Sequence, residues 1–190
     1  MLRRQQDATP GGHAGTGNFT RTMNPVATSR SVFDVLGGHV DQVGIVVEDL
    51  NQALQAYHGV GPWAVWTYDR STVPGLHTSM GPADFRFRIA LNNDDPQIEL
   101  IEPLDDRSLY AQWLADGRGG LHHLGYLVDN LASATDAMRA AGFTVLAGGW
   151  GNGADGSGGF CYYDTIEAIG YIAEAIERPS RRRSPDFACP

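Results

Sequence analysis

Apolar and polar residues alternate along "QVGIVV" (42–47), and the period then lengthens, with Leu50, Ala53, Leu54 and Tyr57 forming one helical stripe. The same succession returns in "HLGYLV" (123–128), followed by a stripe of Leu131, Ala134, Met138 and Ala141. Asp49 and Asn130 stand where helix N-caps belong. Laid over one another, "QVGIVVEDLNQAL" (42–54) and "HLGYLVDNLASAT" (123–135) match Gly44 with Gly125, Val47 with Val128, Leu50 with Leu131 and Ala53 with Ala134. Three strand-like runs follow each helix. They are "WAVWTYD" (63–69), "DFRFRIAL" (84–91) and "PQIELIEP" (96–103) in the first copy, and "FTVLAGGW" (143–150), "GFCYYDT" (159–165) and "GYIAEAIE" (170–177) in the second. The pattern predicts an α+β fold of two paired βαβββ modules, whose eight strands form a curved sheet around a shared cavity with the helices outside. The first module spans 37–104, a linking helix spans 105–119 with "SLYAQWLAD" ending at Gly117, and the second module spans 120–179.

The repeat also aligns particular side chains. In "IELIEP" (98–103) and "AEAIERP" (173–179), Glu99 falls on Glu174 and Ile101 on Ile176, while the first strands pair Gln42 with His123. Strand alternation turns Val43, Ile45 and Val47 to one face and Gln42, Gly44 and Val46 to the other. The fully apolar face is the one to take the helix. Likewise Leu124, Tyr126 and Val128 face the helix, and His123, Gly125 and Leu127 face away. Glu174, flanked on its face by Ile172 and Ile176, is costly to bury unless paired or metal-bound. Folding the copies about a pseudo-twofold axis brings Gln42, Glu99, His123 and Glu174 together as a candidate metal site. Four N or O donors, two of them anionic, suit one divalent ion: Zn, Co, Ni, Mn or Mg. His122 falls on the opposite face and belongs to packing or the surface. Gly44 and Gly125 either leave space beside the metal or let strands pack closely.

Charge narrows the partners. The chain has no lysine; residues 31–177 hold six arginines against 20 acidic residues, a net charge of −14, and each tail contributes +3. Such a body repels phosphate backbones, so nucleic acid is not expected as a partner. No apolar run reaches membrane-spanning length, and "MLRRQQDATPGG" lacks the apolar segment of a secretion signal, so a cytoplasmic protein with a small-molecule substrate and no membrane partner is expected. Cys161 and Cys189 are too few for a disulfide framework. Residues 1–36 and 180–190, rich in Gly, Pro, Ser, Thr and Arg, are expected to be disordered, and Met23 offers an alternative start. Arg88, sharing a face of its strand with Arg86, is the candidate to hold a carboxylate or other anion. Trp66, Trp150 and Tyr162, with Trp63 and Tyr68 near them in the pattern, are the candidates for an aromatic substrate pocket. The stretch "GGWGNGADGSGG" (148–159) reads as a mobile loop or lid.

Residues 38–178 resemble the vicinal oxygen chelate superfamily, and "VDQVGIVVEDL", "IELIEPLDDRS" and "GLHHLGYLVDNL" look most like methylmalonyl-CoA epimerase and its relatives. Gln42 stands where those epimerases carry histidine, yet Gln, Glu, His, Glu in this order is similar to the ligand set of eukaryotic-type glyoxalase I. The resemblance implies a homodimer and a metal-dependent isomerase, epimerase or lyase. Its reaction would move a proton α to a carbonyl on an acid, a thioester or a carbonyl-bearing natural product, with Glu174 as base and Glu99 as its counterpart. Two alternatives stand beside it: a metal-independent binding protein of the antibiotic-resistance type, and an extradiol-type dioxygenase, whose first iron histidine is Gln42 here.

Overall fold

The computed structural model describes residues 30–190. Its core follows the repeat. Module one contains β1 (Gln42–Val46), α2 (Leu50–Ala56), β2 (Trp63–Tyr68), β5 (Phe87–Leu91) and β6 (Gln97–Pro103). Module two contains β7 (Gly120–Leu127), α4 (Leu131–Ala140), β8 (Val145–Trp150), β9 (Gly159–Tyr163) and β10 (Ile172–Glu177). Between them lies α3 (Leu109–Ala115), capped by Ser108. The expected caps are made: Asp49 accepts from the Gln52 N–H at 3.0 Å and Asn130 from the Ser133 N–H at 2.8 Å, satisfying amides that the first helical turn leaves without partners.

β1 and β7 pair antiparallel at the centre of one sheet. Outward from β1 run β6, β5 and β2, and outward from β7 run β10, β9 and β8, so the two halves mirror one another about a pseudo-twofold axis. Ile45 and Val47 pack under α2 with Leu50, Trp63, Val65 and Leu100, while Tyr126 and Val128 pack under α4 with Ala134 and Met138. The concave face carries a third cluster that includes Val46, Trp66, Phe87, Ile89, Tyr110, Phe160 and Tyr162.

The sheet has eleven strands among the described residues, three more than the repeat predicts. β3 (His77–Thr78) and β4 (Gly81–Pro82) form a hairpin in the connection from β2 to β5, and β3 pairs with β8 of the other module. β11 (Phe187–Cys189), at the C-terminus, pairs with β2 of module one. Each module thereby lends a short strand to its partner's outer edge, which leaves neither β2 nor β8 with an unpaired row of backbone groups.

Residues 180–190, expected to be disordered, are therefore ordered. The segment is held by polar anchors rather than apolar burial, which hydrophobic periodicity does not report: Asp186 accepts the Thr67 N–H at 2.7 Å and donates its own to the Val65 carbonyl at 2.8 Å. In the N-terminal stretch, 1–29 lie outside the described residues, and α1 (Val32–Leu36), closed by a Ser31 capping box, replaces the expected disorder at its end. The glycine-rich stretch forms the tip of the β8–β9 hairpin rather than a free lid; Gly151 donates to Gly158 and Gly153 to Ser157, both at 2.8 Å. Among the described residues no helix is long and apolar enough to cross a membrane.

Candidate metal centre

The register of the four central strands sets two rows of side chains on the concave face. Glu99 on β6, Gly44 on β1 and His123 on β7 make one row; Gln42 on β1, Gly125 on β7 and Glu174 on β10 make the other. The glycines sit between donors. A Cβ on Gly44 would lie inside the His123 imidazole, and one on Gly125 would come within 3.0 Å of Gln42 Cβ and 3.2 Å of Glu174 Oε2. The room they leave is taken up by the donors themselves.

His123 Nε2 lies 2.9 Å from Glu174 Oε2 and 3.4 Å from Glu99 Oε2. Ligand atoms of all three residues fall within 4.8 Å of one another, and the residues are buried. Gln42 lines the same cavity; its Nε2 donates to Gln97 Oε1 at 3.1 Å, which leaves its carbonyl oxygen as the group able to accept. Gln97 was absent from the sequence-predicted set, although its position two residues before Glu99 on the same strand face was a usable signal. Burial would push the His123 imidazole down, but the charges and contacts of Glu174 and Glu99 hold it up at about 9. Burial raises the Glu99 carboxyl, aided by the charge of Glu174 and opposed by His123.

His122 departs from the expected alternation. A bulge moves the β1–β7 register from Gly44–His123 to Ile45–Leu121, so His122 is the extra residue and turns into the protein. It is buried edge-on to Trp113 and Tyr162, with ring centroids 4.9 and 5.5 Å away, and its Nδ1 lies 3.0 Å from His123 Nδ1. Burial, helped by the charge of His123, holds the His122 imidazole down at about 2, so the ring is neutral and able to accept the His123 Nδ1 proton. That leaves Nε2 of His123 turned to the carboxylates. His122→Phe keeps the edge-on packing and removes the acceptor, so metal affinity is expected to fall roughly ten- to a hundredfold with the fold retained. Competition against a chelator measures it, and an unchanged affinity would show that His122 does not orient its neighbour.

The donor set fits a divalent cation. Glu99 Oε2, His123 Nε2 and Glu174 Oε2 are buried, and their mutual approaches lack hydrogen-bond geometry, so none has a hydrogen-bond partner. Three orphaned polar atoms aimed at one point, two anionic, are what a cation would satisfy. The family profile described as "Glyoxalase/Bleomycin resistance protein/Dioxygenase superfamily" matches residues 41–162, well over half of the chain. The chain belongs to this superfamily.

Among superfamily relatives, an ethylmalonyl-CoA/methylmalonyl-CoA epimerase of Cereibacter sphaeroides is 28% identical over 113 residues, covering 59% of this chain and 77% of that protein. Two solved structures share the fold. A Streptomyces coelicolor methylmalonyl-CoA epimerase variant in complex with 2-nitronate-propionyl-CoA has a TM-score of 0.54 at 17% identity, over 76% of this chain and 97% of that one. The Mycobacterium tuberculosis methylmalonyl-CoA epimerase has a TM-score of 0.53 at 24% identity, over 80% and 91%.

The cavity of this superfamily member, about 70 Å³, holds some predicted substrate residues and not others. Trp66 and Tyr162 line it, with Tyr68, Phe87 and Phe160. Tyr162 and Tyr110 place their hydroxyls 3.0 Å apart, and burial raises both phenols well above their ordinary range, so they remain neutral donors. Arg88 is on the wrong face. Phe87 and Ile89 take the cavity side of β5, and the Arg88 Nε donates to Glu102 at 2.6 Å. Trp150 is 57% exposed and lies 5.0 Å from His77 in a separate cleft beside α4, because it ends β8, an outer strand remote from the centre of the sheet. The sequence-predicted set also missed Tyr110, whose linking helix was read only as a connector, and Arg182, whose segment was read as disordered; both line the cavity.

Proposed function

We propose that the protein is a metal-dependent isomerase, epimerase or lyase that moves a proton on the carbon next to a carbonyl. The observation that carries this reading is the convergence of buried, unpartnered Glu99, His123 and Glu174 atoms at one end of an aromatic-walled cavity. A divalent ion held by these residues and Gln42 would supply Lewis acidity to a carbonyl of the substrate. Glu174 accepts the proton from carbon, and Glu99, in the equivalent place of the other module, returns one from the opposite side. Tyr162, Phe160 and Trp66 shield the carbanionic stage from water, and His122 keeps the His123 ring in place. The epimerase relatives and the buried carboxylates both support proton transfer of this kind.

The test is deuterium wash-in. Metal-loaded protein in heavy water, given a panel of small acids and thioesters bearing an α-proton, is expected to exchange that proton, followed by NMR. Chelation should stop the exchange and metal addition restore it. Absence of exchange across the panel, alongside tight binding of an unaltered ligand, would replace the enzyme by a binding protein.

A further inference from the structure

With Arg88 committed to Glu102, the cations that reach the cavity, Arg178 and Arg182, come from the C-terminal segment, and of the two Arg182 is the one set over an aromatic ring of the wall. The Arg182 guanidinium lies 5.5 Å from the Trp66 ring centroid, in a cavity wall shared with Gln42, Glu99 and Glu174. Its neighbours are pinned to different modules. The Arg181 carbonyl accepts the Ala154 N–H at 2.8 Å in the β8–β9 hairpin, and the Arg183 carbonyl accepts the Trp66 indole N–H at 3.0 Å on β2. The segment is thus a strap across the cavity mouth with Arg182 at mid-span. Carboxylates of Asp41, Glu99, Glu174 and Glu177 line the same cavity, yet among the described residues Arg182 forms no salt bridge. An arginine left unpaired in so acidic a body, and set over the Trp66 indole, keeps its N–H groups for an anion from outside.

We propose that Arg182 is the anion-recognising residue of this cavity, holding a carboxylate of the substrate while the carbonyl end reaches the Glu99, His123 and Glu174 donors. The assignment rests on the proton-transfer reading above and narrows its substrate to a carbonyl compound that carries a carboxylate. The guanidinium fork matches the two oxygens of a carboxylate. A phosphate is less suited, because Asp41, Asp94 and Asp95 line the outer vestibule along with Arg178 and Arg182, and their charge opposes a dianion.

Titration calorimetry on the zinc-loaded full chain tests this, with monomethyl malonate, which carries one carboxylate beside an ester carbonyl, dimethyl malonate, which carries none, and inorganic phosphate as probes. Arg182→Ala is expected to weaken monomethyl malonate about tenfold or more, Arg182→Lys to lose less, and the diester to bind both variants nearly as it binds wild type. Arg182 is exposed, so its replacement leaves the fold intact, and metal content measured in the same samples should match wild type. Equal monomethyl malonate affinity in wild type and Arg182→Ala, or an equal loss for the diester, would overturn the assignment; so would phosphate binding more tightly than monomethyl malonate. Binding and turnover separate the two readings. Arg182-dependent monomethyl malonate binding in a protein that exchanges no α-proton keeps the anion site and removes the reaction, whereas exchange with unchanged KM in Arg182→Ala keeps the reaction and removes the anion site.

Discussion

Glu174→Gln is expected to lose α-proton exchange by roughly 10²- to 10⁴-fold, the range for removal of a positioned general base. The change is close to isosteric at a side chain only 3% exposed, so the cavity retains its shape. It also withdraws a negative charge that lies 2.9 Å from His123 Nε2, and metal occupancy has to be measured in the same sample. Metal-loaded protein that binds its ligand and no longer exchanges places the proton on Glu174. Exchange that persists in the loaded variant moves the base to Glu99, for which Glu99→Gln is the matching test.

The largest structural effect is expected from the smallest change, Gly44→Ala. An added Cβ would occupy the position of the His123 ring, and that ring has nowhere to go, with Tyr162 at 5.0 Å and His122 at 5.3 Å between centroids. Overpacking of a buried site costs about 1–3 kcal/mol, and here it falls on a ligand. Metal affinity should drop more than a hundredfold, beyond the loss in His122→Phe, alongside a lower melting temperature. Gly125→Ala should be milder, because its closest clash, 2.7 Å, is with the mobile Cδ1 end of Ile176. Wild-type metal affinity in Gly44→Ala would mean that His123 does not point where the strand register puts it.

Much of the centre was legible because the fold repeats. Helix-facing residues such as Ile45 and Tyr126 separated cleanly from Gln42 and His123 by alternation, and the duplication then indicated which polar residues share a face. Three things escaped. His122 was assigned to the wrong face because a bulge breaks the period of two, and nothing in "GLHHLGYLV" marks the extra residue. Arg88 and Trp150 were chosen for their chemistry, whereas their directions are set by strand register and by distance from the pseudo-twofold axis. The C-terminal strap is polar, and its order comes from bonding to a strand more than a hundred residues earlier, as in the contact between the Thr67 N–H and the Asp186 carboxylate, 119 residues apart in the chain. Local composition carries no trace of such a partner.

The exchange of short edge strands bears on the order of events during synthesis. The hairpin lent by module one is translated before β8 and waits for it, whereas the strand lent back, Phe187–Cys189, is made after every other strand described. All four central strands are complete by Glu177, so the acidic centre can assemble while its mouth is still open. The strap with Arg182 can settle across Trp66 only after these four strands have been made. A nascent chain therefore passes through a stage in which an ion has a wide approach to the carboxylates, and docking of the strap narrows that approach.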